Sequence, residues 1–320
     1  MFMLKALLMI LLSLLSIKAY AVDRQDLLDC HSAPHERRIA ACTSIAEDES
    51  AWSETRAFAL SERGMAYEDV FDFERALADY TEAIRTAPRY AFAYYHRAQL
   101  YQRASRFEQS IADFDAAIRL EPKDALFISL RGQTYHLMGD DARAKANFEE
   151  AIRLDPKMSD AYLYRGQMYF EANDRDRAIA DFDEAIRLEA RQTQAYAGRA
   201  HAYYDKGEHD RAIADFNSLL RLDPKSAWGH AMRAASYRAK GDLDAAIADY
   251  SETIRIDPDY VPVYFERGVL YRMKGDRDRA IADFREAMKR YPYYAIASRQ
   301  ALQELGAEPK AQQGVLDLLK

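Results

Sequence analysis

Apolar residues recur along this chain with the spacing of amphipathic helices. Residues 177–189 read RAIADFDEAIRLE, and their apolar positions from Ala178 to Ile186 stand at offsets 0, 1, 4, 7 and 8. An α-helix turns once every 3.6 residues, so these offsets fall on one helical face. The pattern therefore predicts a helix with one buried side.

A second amphipathic stretch precedes this one. Tyr162, Gly166 and Tyr169 stand at offsets 0, 4 and 7, which again define one helical face. Between the two stretches stands Asn173, a residue that tolerates the left-handed conformation of a tight turn. Equivalent turn positions in other parts of the chain carry Gly139, Gly207, Gly241 and Gly275. The two stretches together predict a helix hairpin.

The hairpin pattern repeats every 34 residues. Near-copies of the second helix read RAIADFNSLLRL at 211–222, AAIADYSETIRI at 245–256 and RAIADFREAM at 279–288. Proline ends helices, and prolines stand one or two periods apart at Pro88, Pro122, Pro156, Pro224, Pro258 and Pro292. Ala190 takes the remaining position. The period predicts seven repeats between residues 57 and 294.

These repeats resemble those of the tetratricopeptide repeat family. The family's small position in the first helix carries Gly64, Ala98, Gly132, Gly166, Ala200, Ala234 and Gly268. The aromatic position three residues later carries Tyr67, Tyr101, Tyr135, Tyr169, Tyr203, Tyr237 and Tyr271. The second-helix aromatic is Tyr80, Phe114, Phe148, Phe182, Phe216, Tyr250 and Phe284. The resemblance implies an all-α fold, a right-handed superhelical solenoid of antiparallel helix pairs.

Two charged positions also recur in every repeat. The residue before the small position is Arg63, Arg97, Arg131, Arg165, Arg199, Arg233 and Arg267. The residue before the second-helix aromatic is Asp79, Asp113, Asn147, Asp181, Asp215, Asp249 and Asp283. One interpretation is a ladder of partly buried Arg–Asp bonds that ties the helices together. The other is a basic stripe for an acidic glycan or lipid headgroup, which the carboxylate row would neutralise.

In this family the first helices line a concave groove that holds partner peptides. The matching positions here carry Phe92, Tyr95, Gln99, Gln133, His136, Tyr164, Gln167, Phe170, His201, Tyr204, Trp228 and Phe265. Aromatic rings offer apolar area, and amides can bond to an extended backbone, so we expect a protein or peptide partner. These side chains are expected to be exposed. A glycan- or lipid-headgroup-binding assembly factor of the cell envelope is the alternative.

Residues 1–21 have the pattern of a secretory signal peptide. Lys5 precedes an apolar run from Ala6 to Ile17, and Ala19-Tyr20-Ala21 has the form of a cleavage site. The run is shorter than the roughly 20 apolar residues that span a bilayer. We therefore expect an exported protein, periplasmic or secreted, without a membrane span after cleavage. Retention of the segment as an anchor is the alternative.

Residues 22–56 predict a degenerate first repeat that holds both cysteines. ERRIAACTSIA at 36–46 echoes ERALADYTEAI at 74–84, and Cys42 takes the position of the second-helix aromatic. Cys30 would lie on a preceding short helix. An exported chain favours a disulfide between the two. The competing hypothesis is a metal site of Cys30, His31, His35 and Cys42, but their spacing matches no common zinc pattern.

The rest of the sequence gives no sign of an active site. It contains no G-x-S-x-G, H-E-x-x-H, P-loop or dinucleotide fingerprint, and no cofactor or metal is predicted. A net charge of −7 argues against a nucleic-acid partner. Residues 295–306 predict a helix that caps the last repeat, followed by a tail at 307–320. The chain is expected to be a non-enzymatic binding scaffold.

Overall fold

A computed structural model describes residues 22–290 and 292–308. The predicted signal peptide at 1–21 and the tail beyond residue 308 lie outside these ranges. Every regular element within them is helical, with seventeen α-helices and one short 3₁₀ turn, which confirms the all-α class. In the same ranges, no helix has both the length and the apolar character needed to cross a membrane.

The chain divides into two compact units, which meet in sequence at Pro156 and Lys157. The described part of the first unit holds four helix pairs. Their helices are α1 (Arg24–Ser32), α2 (His35–Glu47), α3 (Ser53–Asp69), α4 (Phe73–Thr86), α5 (Ala91–Arg103), α6 (Phe107–Leu120), α7 (Ala125–Leu137) and α8 (Asp141–Leu154).

The second unit also holds four helix pairs in its described part, followed by a further helix. Its helices are α9 (Ser159–Glu171), α10 (Arg175–Leu188), α11 (Thr193–Asp205), α12 (His209–Leu222), α13 (Ala227–Ala239), α14 (Leu243–Ile256), α15 (Pro262–Met273), α16 (Arg277–Arg290) and α17 (Ala295–Glu304). A 3₁₀ turn at Pro292–Tyr294 links the last two. Leu302 of α17 is fully buried in the cluster around Phe284, so this helix covers the last pair.

Small residues let the two helices of a pair approach closely. Gly166 of α9 faces the ring of Phe182 on α10, and a Cβ at that position would stand 2.9 Å from the ring. Gly64 and Tyr80 repeat the arrangement between α3 and α4, where the distance would be 2.6 Å. Tyr80 and Phe182 are both fully buried. The first helix of each pair therefore needs a residue with little or no side chain at this position.

Each first helix from α3 to α15 is followed by a residue with positive φ. These residues are Phe71, Ser105, Gly139, Asn173, Gly207, Gly241 and Gly275. The next residue often caps the second helix, as Asp140 does when its carboxylate accepts the backbone N–H of Arg143 at 3.0 Å. The sequence predicts the turns at the glycines and at Asn173. It gives no such signal at Phe71 and Ser105, because neither residue type favours this conformation.

The arginine and aspartate rows meet, as the ladder interpretation predicts. In the pair α11–α12, Nε and Nη2 of Arg199 donate to the two carboxylate oxygens of Asp215 at 2.7 and 2.6 Å. Asp215 is only 6% exposed, so both of its oxygens depend on this fork. The same two-point bond joins Arg63 to Asp79, Arg97 to Asp113, Arg165 to Asp181, Arg233 to Asp249 and Arg267 to Asp283. Arg131 makes a single bond of 2.9 Å to Asn147.

The same guanidinium groups also reach the preceding helix pair. Nη1 of Arg199 donates to Asp183 of α10 at 2.5 Å, so this one side chain joins three helices. Equivalent bonds run from Arg63 to Thr43, from Arg97 to Thr81, from Arg131 to Asp115, from Arg233 to Asn217 and from Arg267 to Ser251. The ladder therefore connects successive pairs within a unit as well as the two helices of one pair.

The two helices of the N-terminal pair are linked by their cysteines, and charged side chains connect this pair to α3. The Sγ atoms of Cys30 on α1 and Cys42 on α2 lie 2.16 Å apart, at disulfide bonding distance, and both residues are fully buried. The histidines of the competing metal hypothesis contact carboxylates of α3. His31 lies 3.2 Å from Glu62, and His35 lies 3.7 Å from Asp69. The four side chains therefore do not converge on one point.

Replacing Arg199 with Ala should lower the free energy of unfolding by about 3 kcal/mol, because Asp215 would remain buried without its partner. Urea denaturation followed by circular dichroism measures the change. Arg187→Ala is the matched control, since it removes an exposed arginine that pairs with Glu184 at the surface and should change stability little. The double variant R199A/D215A should cost less than the sum of the single variants, and additive costs would contradict a direct pair.

Protein purified without reductant should contain no reactive thiol when it is denatured. Reduction should then lower the free energy of unfolding by about 3 kcal/mol, because it releases the loop closed by Cys30 and Cys42. Thiol counting with a chromogenic disulfide checks the first result, and denaturant titration with and without reductant checks the second. Two thiols in each unreduced chain would show that the bond does not form.

Phe71→Gly should raise the free energy of unfolding by about 1 kcal/mol, because it removes a bulky residue from a left-handed conformation. The ring is 80% exposed, so little packing is lost with it. Val70→Gly is the control, since Val70 is also exposed but has a φ of −104°. Equal effects of the two substitutions would show that no strain is stored at Phe71.

Candidate functional site

The predicted groove positions occupy one face of the first helices. All twelve side chains are half-buried rather than exposed as expected, because neighbouring helices cover one side of each. They are Phe92, Tyr95, Gln99, Gln133, His136, Tyr164, Gln167, Phe170, His201, Tyr204, Trp228 and Phe265. We call this surface the first-helix face. The two units contribute separate parts of it, and each part is described by itself.

In the first unit this face carries a cluster of rings. Phe92 and Tyr95 of α5 meet edge to face with ring centroids 6.2 Å apart. Both also contact the buried Phe127 of α7, with centroid distances of 5.7 and 5.3 Å. Interlocked rings of this kind prefer offset or edge-to-face geometry and form a stiff apolar surface.

Amides lie beside this cluster. The side chain of Gln102 on α5 donates to the hydroxyl of Thr134 at 2.9 Å and to the amide oxygen of Gln133 at 3.4 Å. These bonds hold the two amides between α5 and α7. The face therefore combines rings with oriented polar groups of no net charge, a combination suited to an extended peptide backbone.

The second unit carries a row of rings along α9, α11 and α13. Phe170, His201 and Trp228 follow one another with centroid distances of 4.9 and 6.1 Å. Trp228 also packs against the buried Phe216 at 5.8 Å, so the row is anchored in the core. Burial lowers the pKa of the His201 imidazole, which favours its neutral form.

Charge appears at one end of this row. The guanidinium of Arg175 lies 4.0 Å from the ring centre of Phe170, within the range of a cation–π contact. Nε of the same arginine donates to Asp205 at 2.8 Å. Because Asp205 balances its charge, this end of the row is polar without a net charge.

Two further predicted residues of the second unit make ring contacts outside this row. Tyr204 contacts His209 with a centroid distance of 5.4 Å. Phe265 contacts Phe284 at 5.5 Å and Tyr294 at 5.4 Å, close to the C-terminal cap. The predicted set therefore includes two connected ring groups, one in each unit.

A buried carboxylate lies at the N-terminal end of the first unit. Glu62 of α3 is 3% exposed and accepts a hydrogen bond from Arg38 at 2.9 Å. It also lies 3.2 Å from Nδ1 of His31, and this contact raises the pKa of the histidine. The carboxylate is fully engaged in joining α1 and α2 to α3. In the part of the chain that the structure describes, no group of three or more acidic, histidine or cysteine side chains is placed to hold a metal.

Sequence reasoning did not single out His96, which also lies on this face. His96 of α5 is half-buried and stands four residues after Phe92, on the same side of the helix. It occupies the position two residues before the small residue, where Tyr164 stands in α9. The equivalence to Tyr164 was the available signal, but the residue type at this position varies widely among the repeats.

Family signatures cover most of the repeat region. Those described as "TPR repeat" or "Tetratricopeptide repeat" match residues 62–125, 128–158, 169–227, 234–275 and 261–294. The chain belongs to the tetratricopeptide repeat family. Repeats of this family generally build non-catalytic scaffolds. Among curated protein sequences, none matches the chain.

Solved structures of tetratricopeptide repeat proteins share the fold. A protein from Parabacteroides merdae ATCC 43184 is 20% identical, with 78% of this chain and 96% of that chain covered and a TM-score of 0.53. Yeast Tom70 is 18% identical, with 91% and 66% covered and a TM-score of 0.56. The Cut9–Hcn1 hetero-tetramer gives 16% identity, 87% and 54% coverage and a TM-score of 0.60. At these identities the likeness is one of fold.

Proposed function

We propose that this tetratricopeptide repeat protein is a non-enzymatic scaffold that binds an extended segment of a partner protein on its first-helix face. The observation that carries the proposal is the contrast between constant and variable positions. The small residues, core aromatics and arginines recur in every repeat, whereas the half-buried side chains of this face vary among repeats, apart from the glutamine shared by Gln99, Gln133 and Gln167. A surface that varies on a constant frame is suited to recognition.

The chemistry of the face supports a peptide over an acidic ligand. Every described arginine of the ladder is bonded to a side chain of a second helix, so the row offers no basic stripe for phosphate or uronate groups. The first-helix face instead presents rings and neutral amides. Rings supply apolar contact, and amides can pair with the N–H and C=O groups of an extended chain.

We further propose that the protein acts after export, in the periplasm or outside the cell. The apolar segment at 1–21 supports this location, as does the cysteine pair, because disulfides persist mainly in oxidising compartments. Fusion of residues 1–21 to a reporter that is active only after export tests the location directly. A reporter that stays inactive would contradict it.

Tyr204→Ala should weaken binding of the partner segment by about tenfold or more, because aromatic anchors commonly supply much of an interface's binding energy. The partner is first captured from the envelope fraction with a photo-crosslinking residue at position 204, and its crosslinked segment is synthesised. The affinity of that peptide is then measured by calorimetry for the wild type and the variants.

Tyr196→Ala is the matched control for this substitution. Tyr196 is a half-buried tyrosine on the same helix α11, but it lies against the guanidinium of Arg199 on the side of the ladder. The Tyr196→Ala substitution removes the same kind of ring as Tyr204→Ala but leaves the first-helix face intact. Equal losses of affinity in the two variants would show that binding depends on general stability and would refute the assignment of this face.

A further inference from the structure

His96 sits between two aromatic rings on the first-helix face of the first unit. Its imidazole stacks on Tyr80 of α4 with a centroid distance of 5.6 Å and an interplanar angle of 14°. The ring of Tyr95 meets it edge to face at 4.7 Å. Tyr80 is fully buried, so one side of the imidazole rests against the core.

The imidazole has polar atoms but no polar partner. Among the described residues, neither ring nitrogen of His96 makes a hydrogen bond to the protein. The carboxylates nearby are already engaged: Glu62 binds Arg38, and Glu68 accepts the hydroxyl of Tyr80 at 2.5 Å. Neither nitrogen is among the buried, unpartnered side-chain atoms of the described residues, so both stay accessible to a ligand that offers a complementary donor or acceptor.

Burial of the ring lowers the pKa of His96 to about 4, and the positive charge of Arg38 on α2 acts in the same direction. The neutral ring therefore persists at every pH from about 5 upwards. A neutral imidazole carries one N–H donor and one nitrogen acceptor. This pair of functions matches the C=O and N–H of a peptide backbone.

The apolar surface next to His96 has a defined shape. Phe92, Tyr95, His96 and Gln99 stand at offsets 0, 3, 4 and 7 on α5, so they share one helical face. The fully buried Phe127 of α7 supports this surface from the core through its contacts with Phe92 and Tyr95. Two rings on α5 thus border a neutral hydrogen-bonding group.

We propose that His96, Phe92 and Tyr95 form a subsite for one aromatic side chain of the bound peptide, whose backbone pairs with the imidazole of His96. The inference rests on the proposed function and assigns its partner chemistry in the first unit. An aromatic side chain suits the subsite because its ring can meet the existing rings edge to face. A lysine or glutamate side chain would lose its hydration without meeting an opposite charge.

The test follows the imidazole directly in the mature protein. N-acetyl-phenylalanine methylamide is titrated into ¹⁵N-labelled protein, and the ring signals of His96 are read in long-range ¹H–¹⁵N spectra. The signals should shift in a saturable manner with this probe. The lysine and glutamate analogues should leave them unchanged at the same concentrations, and the response should be the same at pH 5.5 and pH 7.5. A charged analogue that shifts His96 equally would overturn the proposal.

Two variants separate hydrogen bonding from packing. His96→Phe keeps a ring between Tyr80 and Tyr95 but removes both nitrogens, and it should weaken the phenylalanine probe about tenfold, the value of one hydrogen bond. His96→Gln keeps a donor and an acceptor and should bind more tightly than His96→Phe. Because His96 is lost in both, the ring signals of Phe92 report binding. Unchanged affinity in His96→Phe would overturn the role of the nitrogens.

Failure of the subsite can be distinguished from failure of the proposed function. Tyr204 lies in the second unit, so its substitution tests partner binding without altering the subsite. If Tyr204→Ala loses partner binding but the ring signals of His96 do not shift with the phenylalanine probe, only the subsite is refuted. A His96 response with no effect of Tyr204→Ala would support the subsite and refute the broader assignment of the face.

Discussion

The two-point bond between a first-helix arginine and a buried second-helix carboxylate determines how the rest of the structure is arranged. Apolar contacts supply most of the energy of such a fold, but they are not directional, and a helix could slide or rotate on its neighbour at modest cost. The planar guanidinium allows no such freedom, since Asp215 is 6% exposed and Arg199 occupies both of its oxygens. Displacing either helix would leave a buried charge without its partner. The ladder therefore sets the register in which the aromatic core packs.

This constraint leaves the other side of the first helices open to variation. The ladder residues, the small residue and the core aromatic occupy the same positions in every repeat. None of them lies on the face that carries Phe92 or Trp228. Substitutions on that face change what it can bind without disturbing the register. Half-burial adds a useful property, because each side chain is held by neighbours on one side while it presents the other. Trp228 shows this clearly, with one contact to the buried Phe216 and another to His201.

Much of this architecture could be predicted from the sequence, because a repeated constraint leaves a repeated pattern. The period, the helix pairs and the meeting of the Arg and Asp rows all follow from residues that recur. The second bond of each arginine did not follow, since its acceptor changes from Thr81 to Asp115 to Ser251 and gives no consistent signal. The turn at Phe71 was missed because the backbone there is imposed by the flanking helices against the preference of the residue.

The binding face was predicted less completely than the fold, for a related reason. Its positions could be located from the helical period, but their burial depends on side chains of adjacent helices that do not repeat. His96 is the clearest case. Its environment is made by Tyr80 and Tyr95, two residues that the sequence assigns to different roles. Recognition therefore depends on contacts between neighbouring repeats that a pattern of conserved positions does not reveal.

The second bond of the ladder arginines within each unit also bears on how such a chain can evolve. Arg233 reaches back to Asn217, and Arg199 reaches back to Asp183, at the same distance along the sequence. If one block of 34 residues were duplicated or deleted, the arginine at the new junction would meet the equivalent acceptor of a different repeat. Recombination between repeats can thus lengthen or shorten the protein while the arginine at a new junction still meets a side-chain oxygen. The arginine that fixes the geometry of one helix pair through its first bond therefore also makes pairs interchangeable through its second.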